Sequence, residues 1–211
     1  MENIFTEIYK RNWWGDKDTR SGTGSNLIQT KLIIESIPNI LKEYKISTIL
    51  DIPCGDFYWM NNINLNRINY IGADIVKELI ELNTRKYESF NISFKKLNLI
   101  EDELPKVDLI FCRDCLVHFS FEYIHKSIIN ICNSQSKYFM TTTFIEREKN
   151  VDIETGLWRP INFETYPFHF PKPIKIINEG CTENNNIYSD KSLGLWNIND
   201  IRLLNYKSYE R

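Results

Sequence analysis

The chain has 211 residues, 42% of them apolar, enough for one domain to bury a sizeable core without disulfides or metals. Its 26 basic and 28 acidic residues leave a net charge of −2, which offers no basic face for a phosphate backbone and argues against nucleic acid as a partner. The first twenty residues include Glu2, Glu7, Lys10, Arg11 and Asp16, so neither a signal peptide nor a membrane-spanning stretch is expected there, and a cytoplasmic location follows as the expectation.

Residues 1–44 read as an N-terminal Gly-rich loop and helical cap, with a helix over Asn26 to Tyr44 interrupted near Pro38. From 45 to 144, short β-branched or aromatic runs alternate with helical patterns, the order of a parallel sheet covered on both faces. The predicted strands are Ile46 to Ile52, Asn69 to Asp74, Phe94 to Asn98, Val107 to Cys112 and Lys137 to Phe144. Leu79, Ile80, Leu82 and Tyr87 fit one buried helical stripe, and Ile124, Ile128, Ile129 and Cys132 fit another, on a helix that Ser120 could cap. Residues 145–173, with four prolines and little periodicity, read as an irregular lid. In the last segment, 174–211, Ile174 to Asn178 and Ser192 to Asn197 read as an antiparallel hairpin at the sheet edge. The expected fold is one α/β domain over 1–211, doubly wound around a mostly parallel seven-stranded sheet.

Five cysteines, at 54, 112, 115, 132 and 181, have no framework spacing and read as free thiols. The Cys112/Cys115 pair lacks a second pair to complete four ligands, so no metal is expected.

Chemistry concentrates where the first two strands end. In an open α/β sheet, ligands bind outside the carboxyl ends of the strands. The first strand closes on Asp51-Ile52-Pro53-Cys54-Gly55-Asp56, and Gly55 would let the turn approach a ligand closely. Nineteen residues beyond it, Asp74 closes the second strand, at a distance where a carboxylate accepts from both ribose hydroxyls of a nucleoside. Asn98 would offer a donor and an acceptor to an adenine edge. Taken singly, Asp51, Asp56 and Asp74 could equally be turn residues. Their order, each at a strand end, describes a nucleoside pocket.

These motifs resemble the class I, or Rossmann-like, S-adenosylmethionine-dependent methyltransferases over residues 45–144: "ILDIPCGD" matches the first motif, "YIGADI" the acidic second and "VDLIFCRDCLVHF" the fourth-strand region. Pro53 and Phe57 occupy the first and third glycines of the usual Gly-x-Gly-x-Gly, and only Gly55 remains. That departure weakens a nicotinamide-dehydrogenase reading more than a methyltransferase one, because S-adenosylmethionine has no pyrophosphate. The resemblance implies Cys54 and Gly55 along the methionine part, Asp74 on the ribose, Ile75 and Leu99 on the adenine faces, Asn98 at its edge, and Asp51 orienting the loop. The flanks, "NWWG", "SGTGS", "TGLWRPIN" and "YPFHFPKP", resemble small bacterial methyltransferases of surface-polysaccharide or secondary-metabolite pathways.

Arg20, Ser21 and Thr23 precede a helix and could hold a carboxylate or phosphate at its start, of the cofactor or of an anionic acceptor; alternatively the loop is flexible and Ser25 caps the helix. Trp14 could face a sulfonium, and Trp13 reads as a packing anchor. After the fourth strand, His118 is the candidate general base, Asp114 its orienting partner or an acceptor ligand, and Arg113 a residue that could pair with Asp114 or contact the cofactor or a substrate anion. Trp158, Arg159, Asn162 and His169 could form the acceptor pocket, with Phe163, Tyr166, Phe168 and Phe170 packing beneath them. The expected function is methyl transfer from S-adenosylmethionine, leaving S-adenosylhomocysteine, to oxygen or nitrogen of a small polar acceptor such as a sugar, sugar nucleotide or phosphate-bearing precursor. A noncatalytic nucleoside-binding or regulatory module is the alternative.

Overall fold

The computed structural model describes residues 1–204, so residues 205–211 of the expected C-terminal segment lie outside the described residues. The chain opens with helix α1 (Glu2–Arg11), whose first turn carries Glu2 and last turn Lys10 and Arg11, matching the helix dipole; left-handed Asn12 closes it. Helix α2 spans Lys31–Glu43. The expected start at Asn26 is displaced because Asn26 Oδ1 accepts the amides of Ile28 and Gln29, folding 26–30 into a turn. Nor does α2 break at Pro38: Ile33, Ile37, Ile40 and Leu41 are buried along one face, and that packing holds the helix through the missing N–H.

The sheet comprises β1 (Thr48–Asp51), β2 (Asn69–Asp74), β3 (Ile92–Lys96), β4 (Leu109–Cys112), β5 (Tyr138–Phe144), β6 (Lys175–Asn178) and β7 (Lys191–Asn197), in the order β3-β2-β1-β4-β5-β7-β6. The first five are parallel, and β7 runs antiparallel between β5 and β6. The expected doubly wound, mostly parallel sheet with a C-terminal antiparallel hairpin is therefore the observed one. Of the hairpin's two strands only β6 is at a sheet edge, since β7, buried along nearly its whole length, is an interior strand. β3 begins two residues before its expected start, pairing Asp74 with Lys96 and leaving Asn98 beyond the strand.

Alternation along β1, β4 and β5 divides the core. Leu50, Ile110 and Phe139 join helix α4 (Phe121–Asn133) on one face, and Ile49, Leu109 and Met140 join α2 on the other. Ser120 caps α4 by accepting the Tyr123 amide. Between β2 and β3 lies α3 (Lys77–Tyr87), where Leu82 is exposed instead of buried and Asn83 faces inward. A short turn, α5 (Glu183–Asn186), with Asn184 and Asn185 left-handed, joins β6 to β7, and α6 (Ile198–Arg202) follows. No helix among the described residues is long and apolar enough to cross a membrane.

Residues 145–173 form no named strand or helix, yet much of the stretch is core. Ile161, Phe163, Phe168 and Phe170 are buried, with Phe163 5.1 Å from Phe168 and Phe170 5.4 Å from Trp196, ring centre to ring centre. Tyr166 departs from the expected aromatic packing and is 70% exposed. Trp13 likewise is no anchor: it is 68% exposed, with the Arg11 guanidinium 5.9 Å from its ring.

Candidate functional site

The turn after β1 is built around Gly55, whose φ of 53° lies in the left-handed region. A Cβ there would stand 2.2 Å from Ser21 Oγ, so the 19–21 loop presses directly on this glycine. Asp56 holds that loop in place: its carboxylate accepts from the Thr19 hydroxyl at 3.0 Å, the Ser21 hydroxyl at 3.1 Å and the Arg20 amide at 2.8 Å. Asn83 of α3 donates to the Gly55 carbonyl at 2.7 Å, fixing the turn from below. No α-helix follows it; the connection to β2 has only a 3-10 turn at Met60–Asn62.

Beyond this turn, at the carboxyl ends of β1, β2 and β4, lies a cavity of about 1000 Å³, open solvent at its mouth included. Asp51, Cys54, Gly55, Asp74, Ile75 and Leu99 line it, and Arg20, Ser21, Arg113, Asp114 and His118 reach it from other segments. Met1, Phe5 and Tyr9 add a wall from α1 that the sequence pattern did not single out. Burial pushes the Asp74 carboxyl up to about 6, against the amide of Val76, which donates to it at 3.0 Å. Burial also raises Asp51, to about 8, even though the Tyr70 hydroxyl donates to it at 2.5 Å.

A second cavity shares Trp14, Ser21, Asp114 and His118 with the first and is completed by Thr23, Phe144, Trp158, Glu183, Tyr188 and Lys191, among others. Behind it lies a buried ion cluster. Arg113 pairs with Glu179 at 2.6 Å and with Asp114 at 3.2 Å; Lys191 pairs with Asp114 at 2.8 Å and with Glu179 at 3.6 Å. Burial alone would lower Arg113 and Lys191, but the two carboxylates outweigh it and keep both cations charged. Asp114, with a left-handed φ of 51°, is held ionised in the same way by Arg113 and Lys191 despite its burial. Arg113 thus has carboxylate partners within the chain and also lines the first cavity.

His118 closes the 3-10 turn Leu116–His118, and its ring lies 5.0 Å from that of Trp14. Nδ1 stands 2.8 Å from the Leu157 carbonyl, an acceptor only, so Nδ1 carries the proton and Nε2 holds the lone pair in the neutral ring. Burial lowers the His118 pKa, opposed by the Leu157 carbonyl and Asp114, which favours that neutral ring.

Several expected site residues lie elsewhere. Asn98 lines neither cavity; its side chain is taken by Glu101 and by the amide of Ile100, a local turn. Ser21 and Thr23 do not present free donors to an anion, since their hydroxyls donate to Asp56 and Glu183, and the segment leads into a 3-10 turn well before α2. Ser25 is buried in that turn and caps no helix. Arg159 is buried and spends its guanidinium on the carbonyls of Val151, Leu116 and Phe119. Asn162 likewise donates to the carbonyls of Ile145 and Arg147. His169 lines neither cavity and is exposed beside Tyr166. Trp158 does line the second cavity. Glu179, Glu183, Tyr188 and Lys191 were not anticipated; the only local hint is an ionisable residue at each end of the link between β6 and β7.

No protein-family model matches the chain, and no curated protein matches it. Solved structures do. Human N-acetylserotonin methyltransferase in complex with SAM is similar with a TM-score of 0.63 at 12% identity, over 91% of this chain and 58% of that one. Magnesium protoporphyrin IX methyltransferase from Synechocystis PCC 6803 with bound SAM is similar with a TM-score of 0.61 at 12% identity, over 93% of this chain and 96% of that one. The methyltransferase domain of bacterial CtHen1 is similar with a TM-score of 0.59 at 12% identity, over 82% and 100%. At this identity the likeness establishes a shared fold.

Proposed function

We propose that the chain is a cytoplasmic methyltransferase that uses S-adenosylmethionine to methylate oxygen or nitrogen of a small polar acceptor. The observation that carries this reading is the first cavity, which brings the Gly55 turn, the Asp74 carboxylate and the apolar side chains of Ile75 and Leu99 to one place in a fold shared with methyltransferases solved with bound SAM. The residues fit such a cofactor. Asp74 would accept from the ribose hydroxyls, Ile75 and Leu99 would sandwich the adenine, and the backbone of Cys54 and Gly55 would run along the methionine part. Trp14, Asp51 and Arg113 complete the wall. A dinucleotide fits less well, because Phe57 is buried at the third glycine position and no helix N-terminus follows the turn to face a pyrophosphate.

S-adenosylmethionine supplies an electrophilic methyl group when bound. What remains for the chain is to place the acceptor and to take its proton. Nε2 of His118, lone pair free and at the junction of the two cavities, is the group that would do the latter. Asp114 would position the acceptor beside it. The flanking motifs suggest sugars, sugar nucleotides or other precursors of surface polysaccharides as acceptors.

Calorimetric titration with S-adenosylmethionine, S-adenosylhomocysteine and NAD tests the reading. Micromolar binding of the two adenosyl ligands alone is expected, and Asp74→Ala should weaken it by about 1 to 3 kcal/mol through lost ribose hydrogen bonds. Binding of NAD, or of nothing, would overturn it.

The affinity should also depend on pH. Burial raises the Asp74 carboxyl to about 6, and the group accepts from hydroxyls best when ionised, so ribose contacts lower its pKa. Binding therefore releases a proton at acid pH. Affinity should fall by up to about tenfold per unit below pH 6, and this acid-side dependence should be lost in Asp74→Asn, whereas Asp51, raised to about 8 in the same wall, would act only on the alkaline side.

A further inference from the structure

The charges around the second cavity do not cancel. Arg113 and Lys191 are matched one for one by Asp114 and Glu179, so that cluster is neutral. Glu183 stands outside it. Its carboxylate accepts from the Thr23 hydroxyl at 2.6 Å and the Cys181 thiol at 3.6 Å, and among the described residues no cation forms an ion pair with it. Gly24 lets the groups converge: a Cβ there would be 3.3 Å from both Asp114 Oδ2 and Glu183 Oε2 and 3.4 Å from Lys191 Nζ, so Glu183 adds its charge to the edge of the cluster, where Arg113 feels it, without a cation at ion-pairing distance. Deeper in, Glu179 Oε1 is buried without a hydrogen-bond partner. The other walls are aromatic. Trp158 is 39% exposed and packs edge-on at 4.8 Å against Tyr188, and Trp14 is 36% exposed.

A surplus carboxylate beside aromatic rings attracts a cation and repels an anion. A phosphate or carboxylate here would meet Glu183, and Lys191, the cation among the described residues lining this cavity, is buried and already committed to two carboxylates. A neutral hydroxyl could be accommodated but would leave the surplus charge unanswered. An ammonium group meets both features, by pairing with the carboxylate and by cation–π attraction to the rings.

We propose that the acceptor presents a protonated amine to this cavity, so that the reacting atom is nitrogen and the acceptor-binding group is Glu183, with Trp158 as its aromatic wall. The inference rests on the methyltransferase reading above and narrows it. An alkylammonium must lose one proton before its nitrogen has a lone pair to attack with; Nε2 of His118 takes that proton and becomes imidazolium. Of the alternatives that the sequence left open for the 20–23 loop, an anionic acceptor is the one this assignment disfavours at the Glu183 end of the cavity.

The test uses the full chain and three matched probes, phenethylamine, 2-phenylethanol and phenylacetate, titrated with and without saturating S-adenosylhomocysteine, whose own affinity is measured first. The amine should bind at least about tenfold tighter than the alcohol, and the carboxylate weakest of the three. Glu183→Gln should erase the gap between amine and alcohol while leaving S-adenosylhomocysteine affinity within about twofold, and Trp158→Leu should weaken both amine and alcohol. Equal binding of amine and alcohol, tighter binding of the carboxylate, no binding of any probe, or a gap that persists in Glu183→Gln would overturn the amine assignment. Failure of S-adenosylhomocysteine to bind would instead overturn the cofactor reading, and the amine preference would then be read on the protein without it.

Discussion

Replacing His118 with alanine should slow methyl transfer by about two to four orders of magnitude while leaving S-adenosylhomocysteine affinity within about twofold. The expectation follows from the ring's two contacts. The Leu157 carbonyl fixes the proton on Nδ1, and the ring lies beside Trp14 where the two cavities meet, leaving Nε2 as the basic atom. Because burial lowers the His118 pKa, the neutral ring is the major form at pH 7, and the wild-type rate should be level above neutrality and fall on the acid side. The rate should be followed as S-adenosylhomocysteine formed with an accepted amine, beside a titration of the cofactor product. Loss of both rate and cofactor affinity would point to collapse of the site, and a wild-type rate would exclude His118 as the base.

The largest effect on stability is expected from Arg113→Met. The substitution leaves Asp114 and Glu179, both in a largely buried cluster, facing the single charge of Lys191. Stranding a buried carboxylate in this way costs about 3 to 5 kcal/mol. For a chain of this length that is a drop in Tm of roughly 6 to 20 °C. Removing Glu179 as well, in Arg113→Met/Glu179→Leu, restores charge balance as an Asp114–Lys191 pair, so the double variant should be more stable than the single one despite carrying an extra change. An exposed pair provides the contrast: Lys175 and Glu43, 3.2 Å apart at the surface, should lose less than about 1 kcal/mol on Glu43→Gln. Thermal unfolding of the four proteins decides the matter. A double variant less stable than Arg113→Met would mean that the cluster is held by packing and not by charge.

The two variants address different depths of one construction. His118 meets both cavities, whereas Arg113, which reaches the first of them, belongs with Glu179 and Lys191 to the buried cluster, and its charge with that of Lys191 keeps Asp114 ionised. The N-terminal loop joins that layer as well, since Arg113 donates to the Gly24 carbonyl at 2.8 Å. Loss of the cluster is therefore expected to loosen the Gly22 to Gly24 wall along with the core.

The amino-acid sequence by itself determined the parallel core and the residues at its strand ends. Runs such as "STILD" and "NYIGAD" carry their own strand signal, and the Gly55 turn and Asp74 follow directly from where those runs stop. Elements defined by local periodicity were legible for the same reason: the burial of Ile124 and Ile128 on α4 needs only the spacing of the helix. What the tertiary structure alone decided are the contacts between distant segments. Lys191 and Glu179 enter the site because β7 inserts beside β5 and brings them to Arg113 and Asp114, 66 to 77 residues away along the chain. Conversely, Arg159 and Asn162 look like ligand-binding residues in an irregular, polar-looking stretch, yet they satisfy backbone carbonyls that a segment without helix or strand leaves unpaired. A polar side chain carries no local mark of whether its partner will be a ligand or the protein's own backbone, and only the packed chain, by bringing distant carbonyls within reach of Arg159 and Asn162, decides it.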